Sequence, residues 1–208
     1  MDVNFVYLAS ASPRRRQLLS QIGVSFQLVS VDVDESIAAG ESAQRYVVRV
    51  AEAKAAAGLA WRAAAGRPHR PVLGADTAVV AGDTILGKPL DCGDAQRMLG
   101  LLSASTHEVL TAVALATDDG VRSRLSRSEV TFRDITPEEA RDYWNTGESG
   151  DKAGGYAIQG YGAVFVSGLR GSYSGVMGLP LFETAQMLRA AGVPCWLETK
   201  GIAATDGH

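Results

Sequence analysis

The chain has 208 residues, 46% of them hydrophobic and 21% charged, with a formal net charge of -3 at pH 7. That length suffices for one large domain or two lobes around a shared cleft, and the slight acidity leaves no basic footprint, which excludes extended nucleic-acid binding. Cys92 and Cys195 lack CxxC spacing and His69, His107 and His208 lack ligand spacing, which argues against a disulfide scaffold or a zinc site.

The apolar run Phe5 to Ala9 is too short for a signal-peptide core or a membrane span, so the chain reads as cytosolic with no membrane partner. Val3 to Ala9 is predicted as a buried strand. It leads into "SPRRRQLL", a helix with Ser12 as N-cap, Pro13 at its first position and Gly23 as its stop. Arg14, Arg15 and Arg16 occupy the first turn, where the helix dipole already places positive charge. Such an arrangement is reasonable if an anion sits in front of the helix, and a phosphate is the obvious candidate.

Ser25 to Val31 is a second predicted strand, ending in the acidic loop Asp32 to Glu35. An alanine-rich helix should run from Ser42 to about Ala65, with Lys54 on its apolar stripe beside Val47, Val50 and Ala51. "VLGADTAVV", Val72 to Val80, reads as a buried strand with Asp76 in its middle, folded back by a turn at Gly82 and Asp83 onto "TILGKP". A helix over Gly93 to Leu102 and a hairpin of His107 to Thr117 with Val121 to Phe132 follow. Next come a capped helix from Thr136 and the glycine-rich "SGDKAGGYAIQGYG". The last third should hold a strand at Ala163 to Ser167, the loop "GLRGSYSG", a helix from Leu179 to Ala191 and a short strand around Cys195 to Leu197.

Four polar clusters carry candidate chemistry: Ser10 to Arg15, Asp32 to Glu35, Asp76 and Thr77 with Lys88, and Asp151 to Gln159. A carboxylate inside a buried strand costs several kcal/mol unless it is paired, so Asp76 needs a cation. A structural ion pair with Lys54 or Lys88 meets that need as well as catalysis does. "GDTILGKP" imitates a phosphate loop, but Pro89 stands where Ser or Thr should bind magnesium, and a hairpin explains its glycines better.

"LASASPRR", "GADTAVV" followed by "ILGKP", "DKAGGYAIQG" and "GSYSGVMGLPLFET", in that order from Tyr7 to Thr184, resemble the Maf family of nucleoside triphosphate pyrophosphatases, once described as septum-formation inhibitors. Arg14 after "SP", Thr77 after Asp76, and "DKAGGYAIQG" are similar to the subgroup acting on dTTP and UTP. The resemblance implies Asp76 as proton acceptor and Arg14, Thr77 and Gln159 as residues that set nucleotide choice. It also implies a divalent cation, Mg2+ or Mn2+, a cytoplasmic homodimer, and an elongated mixed α/β sheet with helices on both faces of a cleft.

A nucleoside triphosphate needs a metal ion and several cations around it. The expected arrangement therefore has Glu35 and Asp76 as metal ligands, Ser10, Ser12, Arg14, Arg15, Lys54 and Lys88 on the phosphates, and Lys152 among the substrate contacts. Residues 1–200 form the expected single domain and 201–208 a flexible tail. Two other readings remain open from the sequence: a nucleotide-binding regulator of cell division that works through a partner protein, and a house-cleaning enzyme for non-canonical purine triphosphates.

Overall fold

The structure, a computed structural model, describes residues 4–196. The expected tail at 201–208, Val3 and Leu197 lie outside them. Seven strands form one mixed sheet: β1 (Val6–Ala9), β2 (Phe26–Leu28), β3 (Val72–Ala81), β4 (Thr84–Leu86), β5 (Thr106–Thr117), β6 (Gly120–Phe132) and β7 (Val166–Arg170). Their order is β2-β1-β3-β5-β6-β7, with β4 on the edge of β3. β1 runs parallel to β2 and β3, whereas every later pairing is antiparallel. The helices are α1 (Pro13–Gln21), α2 (Ala43–Ala64), α3 (Cys92–Leu102), α4 (Pro137–Asn145), α5 (Tyr173–Val176) and α6 (Leu181–Ala190). This is the mixed α/β architecture expected from the sequence. Among the described residues no helix is long and apolar enough to cross a membrane.

Alternation along β3 distributes its side chains among three cores. Leu73 and Ala75 join Leu8, Leu19 and Leu188 in one cluster with α1 and α6. Val79, on the same face, joins Leu99, Leu102 and Tyr143 in a second cluster with α3 and α4. Val72, Ala78 and Val80 point to the opposite face, where α2 covers them through Val47, Ala51 and Ala55. Two lobes thus share one face of the sheet, and Thr77 lies between their apolar clusters.

The edge of β3 facing β1 changes partner midway. β1 pairs with it as far as Ala9↔Gly74, and β4 takes over only at Val79↔Leu86. Between them Ala75 to Ala78 have no strand partner on that edge. This gap opens where β1 delivers the chain into α1, with β2 on one side of β1 and β3 on the other, the kind of switch point at which open α/β sheets bind ligands.

α2 lies close against β3 because its contact residues are small. A Cβ on Gly74 would meet the Ala51 carbonyl oxygen at 2.4 Å and the Ala55 nitrogen at 2.7 Å. The glycine of "GADT" therefore permits helix backbone to rest on strand backbone.

Several boundaries differ from expectation. β2 is confined to Phe26–Leu28 because β1 offers partners only at Val6, Tyr7 and Leu8. Ser12 stands at the N-cap of α1, yet its side chain makes no cap hydrogen bond. The strand expected over Ala163 to Ser167 is displaced: Tyr161–Phe165 forms a 3-10 turn that sends Phe165 into the α3 and α4 core, and β7 then takes Gly168, Leu169 and Arg170 from the expected loop. α6 starts at Leu181 rather than Leu179 because Pro180 disfavours helical backbone at the residue before it. Cys195 and Trp196 belong to no strand. The "GDTILGKP" segment is the β3-β4 hairpin, followed by an extended stretch and the Asp91-capped α3, so the phosphate-loop imitation is resolved as expected.

Replacing Gly74 by Val should cost about 1–3 kcal/mol through overpacking against α2. Thermal melts should show a drop of several degrees, whereas Gly100→Ala, on α3 with open space around it, should cost less.

Candidate active site

A cleft of about 810 Å³ opens at the gap in β3 and is lined by the end of β1, the tip of α1, the Glu35 loop, β4 with Lys88, and the segment Asp151 to Gln159. Every residue singled out from the sequence, Ser10, Ser12, Arg14, Arg15, Glu35, Lys54, Asp76, Thr77, Lys88, Lys152 and Gln159, borders it.

Asp76 is the deepest acid, with 7% of its surface exposed. Lys54, one turn beyond Ala51 on α2, donates to its Oδ1 at 2.9 Å and reaches Glu35 Oε1 at 2.7 Å. One ammonium thus bridges both carboxylates, and Lys54 rather than Lys88 is the partner that the buried strand carboxylate requires. Burial raises the Asp76 pKa above the usual carboxylate value, outweighing the attraction of Lys54 and Arg15, with Glu35 pushing in the same direction as burial. Burial opposes ionisation of Glu35 too, but the hydrogen bond and charge of Lys54, with the charges of Lys88 and Arg15, hold it below its ordinary value. Two adjacent carboxyls are therefore driven apart: Glu35 stays ionised while Asp76 is readier to take a proton.

The Glu35 loop owes its place to α2. Arg49 donates to the carbonyls of Asp34 at 3.3 Å and Ser36 at 2.8 Å, and Tyr46 donates its hydroxyl to the Glu35 carbonyl at 3.2 Å. Glu41 anchors Arg49 in turn, with Oε1 2.7 Å from Nε. Neither Tyr46 nor Arg49 was singled out from the sequence, although their i, i+3 spacing on one helix is what allows them to grip adjacent carbonyls.

On the other side of β3, Arg15 is buried to 9% exposure and holds neutral oxygens only: the Gly178 carbonyl at 2.7 Å, Ser10 Oγ at 3.1 Å and Thr77 Oγ1 at 3.2 Å. Burial lowers its pKa, chiefly by desolvation. No carboxylate lies within 4 Å of it among the described residues. A buried guanidinium with no carboxylate in contact among the described residues, next to the uncapped N-terminus of α1, favours an anion in front of the helix. Arg14 is partly buried and reaches Asp151 at 3.5 Å across the cleft. Lys88 and Gln159 are exposed on the rim. Lys152 turns back to Asp151 and to the Glu148 carbonyl.

The Maf-like protein family matches residues 5–191. A dTTP/UTP pyrophosphatase of Saccharophagus degradans is 55% identical over 192 residues, covering 92% of this chain and 90% of the relative. Another dTTP/UTP pyrophosphatase, of Aromatoleum aromaticum, is 52% identical over 201 residues, covering 91% and 96%. The chain belongs to the Maf family. A crystal structure of a nucleoside-triphosphatase / dITP/XTP pyrophosphatase from Mycobacterium abscessus aligns over 95% of this chain and 99% of its own with a TM-score of 0.39 and 16% identity.

In this Maf-like protein the Asp151 to Gln159 segment is anchored from below. Gly154 has φ +70°, a Cβ there would meet Val79 Cγ1 at 2.9 Å, and its N–H donates to the Gly87 carbonyl at 2.9 Å. Tyr156 is buried with its hydroxyl 2.9 Å from His107 Nε2, while His107 Nδ1 has no partner among the described residues. Desolvation lowers the His107 pKa to about 4. A histidine held neutral in the fold but free to charge when unfolded stabilises the protein above about pH 6.5. Between there and about pH 4 the unfolded state binds the extra proton and stability falls. Unfolding free energies from urea titrations should decline as pH falls through that window by an amount on the order of 3 kcal/mol from this group, and His107→Gln should flatten that slope.

Proposed function

We propose that this protein hydrolyses dTTP and UTP to the monophosphate and pyrophosphate, cleaving between the α- and β-phosphates, in the cytoplasm and as the homodimer that the family resemblance implies. The observation that carries the reading is the pairing of Asp76 and Glu35 on one ammonium at the sheet gap, beside a buried Arg15 with no carboxylate within 4 Å among the described residues. Relatives bearing the name dTTP/UTP pyrophosphatase at 52–55% identity over most of the chain support it.

In this reading water attacks the α-phosphorus, its proton passes to an Asp76 oxygen, the bond from that phosphorus to the bridging oxygen breaks, and pyrophosphate departs with the bond electrons. Asp76 acts as the base because burial has already raised its proton affinity. Lys54 holds Asp76 and Glu35 in register, and Ser10, Ser12, Arg14, Arg15, Lys54 and Lys88 surround the polyphosphate with hydroxyls and positive charge. Lys152 supports the rim segment that carries Gln159, which meets the nucleoside together with Arg14 from α1.

Among the described residues no group of three or more His, Cys, Asp or Glu forms a metal cage. Two converging carboxylates nonetheless fit Mg2+ or Mn2+, which are commonly held by one or two carboxylates together with phosphate oxygens. Glu35 and Asp76 are the residues that would hold the ion, and when bound it supplies neutralisation of charge on the phosphates and the leaving group.

Pyrophosphate release from UTP and dTTP with Mg2+ or Mn2+ is the direct test; binding without release would favour a regulatory role, and preference for ITP or XTP a purine-directed one. Asp76→Asn should lower kcat by at least about 10²-fold without lowering the melting temperature, since the ionised carboxylate is itself disfavoured by burial. Gln159→Glu should raise KM for UTP while leaving thermal stability unchanged.

A further inference from the structure

We propose that Thr111 is a positioning residue that sets base selectivity, by forcing the Thr77 hydroxyl to face the cleft as a hydrogen-bond acceptor only, complementary to the imide N3–H of a uracil or thymine ring. The inference rests on the proposed function for the presence of a nucleotide in the cleft.

The argument starts from a row of hydroxyl residues. Thr77 on β3 is in register with Thr111 on β5, and Thr111 with Ser126 on β6. On that face the neighbours of Thr77 and Thr111 are apolar on either side: Ala75 and Val113 belong to the α1 and α6 core, Val79 and Val109 to the α3 and α4 core. The row therefore crosses the sheet between the two lobes. Thr111 is 1% exposed, beneath the Ser172 to Gly178 segment.

Proton bookkeeping along the row leaves a single arrangement. Thr111 Oγ1 lies 2.7 Å from the Gly175 carbonyl, which can only accept, so the one hydroxyl proton of Thr111 is committed there. Towards Thr77 Oγ1, 3.0 Å away, Thr111 can then only accept, so Thr77 must donate to it. Arg15 Nη2, which can only donate, takes one lone pair of Thr77 Oγ1 at 3.2 Å. One lone pair and no proton remain on Thr77 for the cleft.

That polarity selects the ligand group. A phosphate oxygen is itself an acceptor and is repelled by a bare lone pair. Phosphate is suited by the cations, Lys54 on the Asp76 face and the Arg15 guanidinium beside Thr77, so the Thr77 lone pair is left to a donor group of the nucleoside. A sugar hydroxyl can donate or accept and so would gain nothing from a fixed polarity. The imide N3–H of uracil or thymine is a fixed donor, whereas N3 of cytosine is a bare acceptor.

The experiment compares kcat/KM for UTP, 3-methyl-UTP and CTP in the wild type, Thr111→Val, Thr111→Ser and Thr77→Val. The wild type should lose at least about 10²-fold on 3-methyl-UTP, as expected of a site built to pair a substrate N–H. In Thr111→Val the Thr77 proton is freed to turn into the cleft, and the UTP to CTP ratio should fall by about tenfold or more, a gain on CTP contributing; Thr111→Ser should restore it. Thr77→Val should lower the ratio at least as far as Thr111→Val does. Equal turnover of UTP and 3-methyl-UTP by the wild type overturns the inference even if Thr111→Val does not fold. A Thr111→Val enzyme that is uniformly slower with an unchanged ratio also overturns it, leaving Thr111 a packing role. If the wild type releases no pyrophosphate from UTP or dTTP, the proposed function fails separately, and the same ratios are read as Kd for UMP, 3-methyl-UMP and CMP.

Discussion

One ammonium between two carboxylates organises this molecule. Asp76 is buried in a strand, where an isolated charge would cost several kcal/mol, and Lys54 comes to it from a helix that could not approach without Gly74, Ala51 and Ala55. Glu35 is drawn to the same nitrogen from a loop whose carbonyls Arg49 and Tyr46 hold in place. Small residues at the helix-strand contact are therefore part of the electrostatics: they set the distance at which a single cation can serve both acids.

The same strand explains why there is a cleft. β3 is long enough to pair with β1 at one end and β4 at the other, but the two do not meet, so a stretch of its edge is left open. Alternation then sends Asp76 to one face and Thr77 to the other at the opening, the acid towards α2 and the hydroxyl towards α1 and α5. A ligand lying in the gap can be met by carboxylates and an ammonium on one side, and by a hydroxyl with the Arg15 guanidinium on the other.

The arginines at the tip of α1 have separate tasks. Arg15 turns inward and joins the lobes by binding Ser10, Thr77 and Gly178. Arg14 stays at the mouth and reaches the Asp151 segment on the opposite wall. Positive charge stacked on an uncapped helix N-terminus is unfavourable by itself and favours an anion in the space before the helix.

Sequence alone was enough for the elements whose cause is local: the Ser42 and Thr136 caps, the Gly82 turn, the β5-β6 hairpin and the improbability of a phosphate loop ending in Pro89 all follow from neighbouring residues. It also marked Asp76 as a buried charge in need of a partner, because burial of a strand is written in its run of apolar residues. Tertiary structure alone chose Lys54 over Lys88, since that depends on how α2 seats on β3. It moved β7 past Phe165, because strand ends are set by the partners β6 offers, and it buried Arg15 as a link between Ser10, Thr77 and Gly178. It also brought Thr77, Thr111 and Gly175 into one hydrogen-bonded chain, since periodicity records which way a side chain faces and only packing across the sheet decides what it meets there.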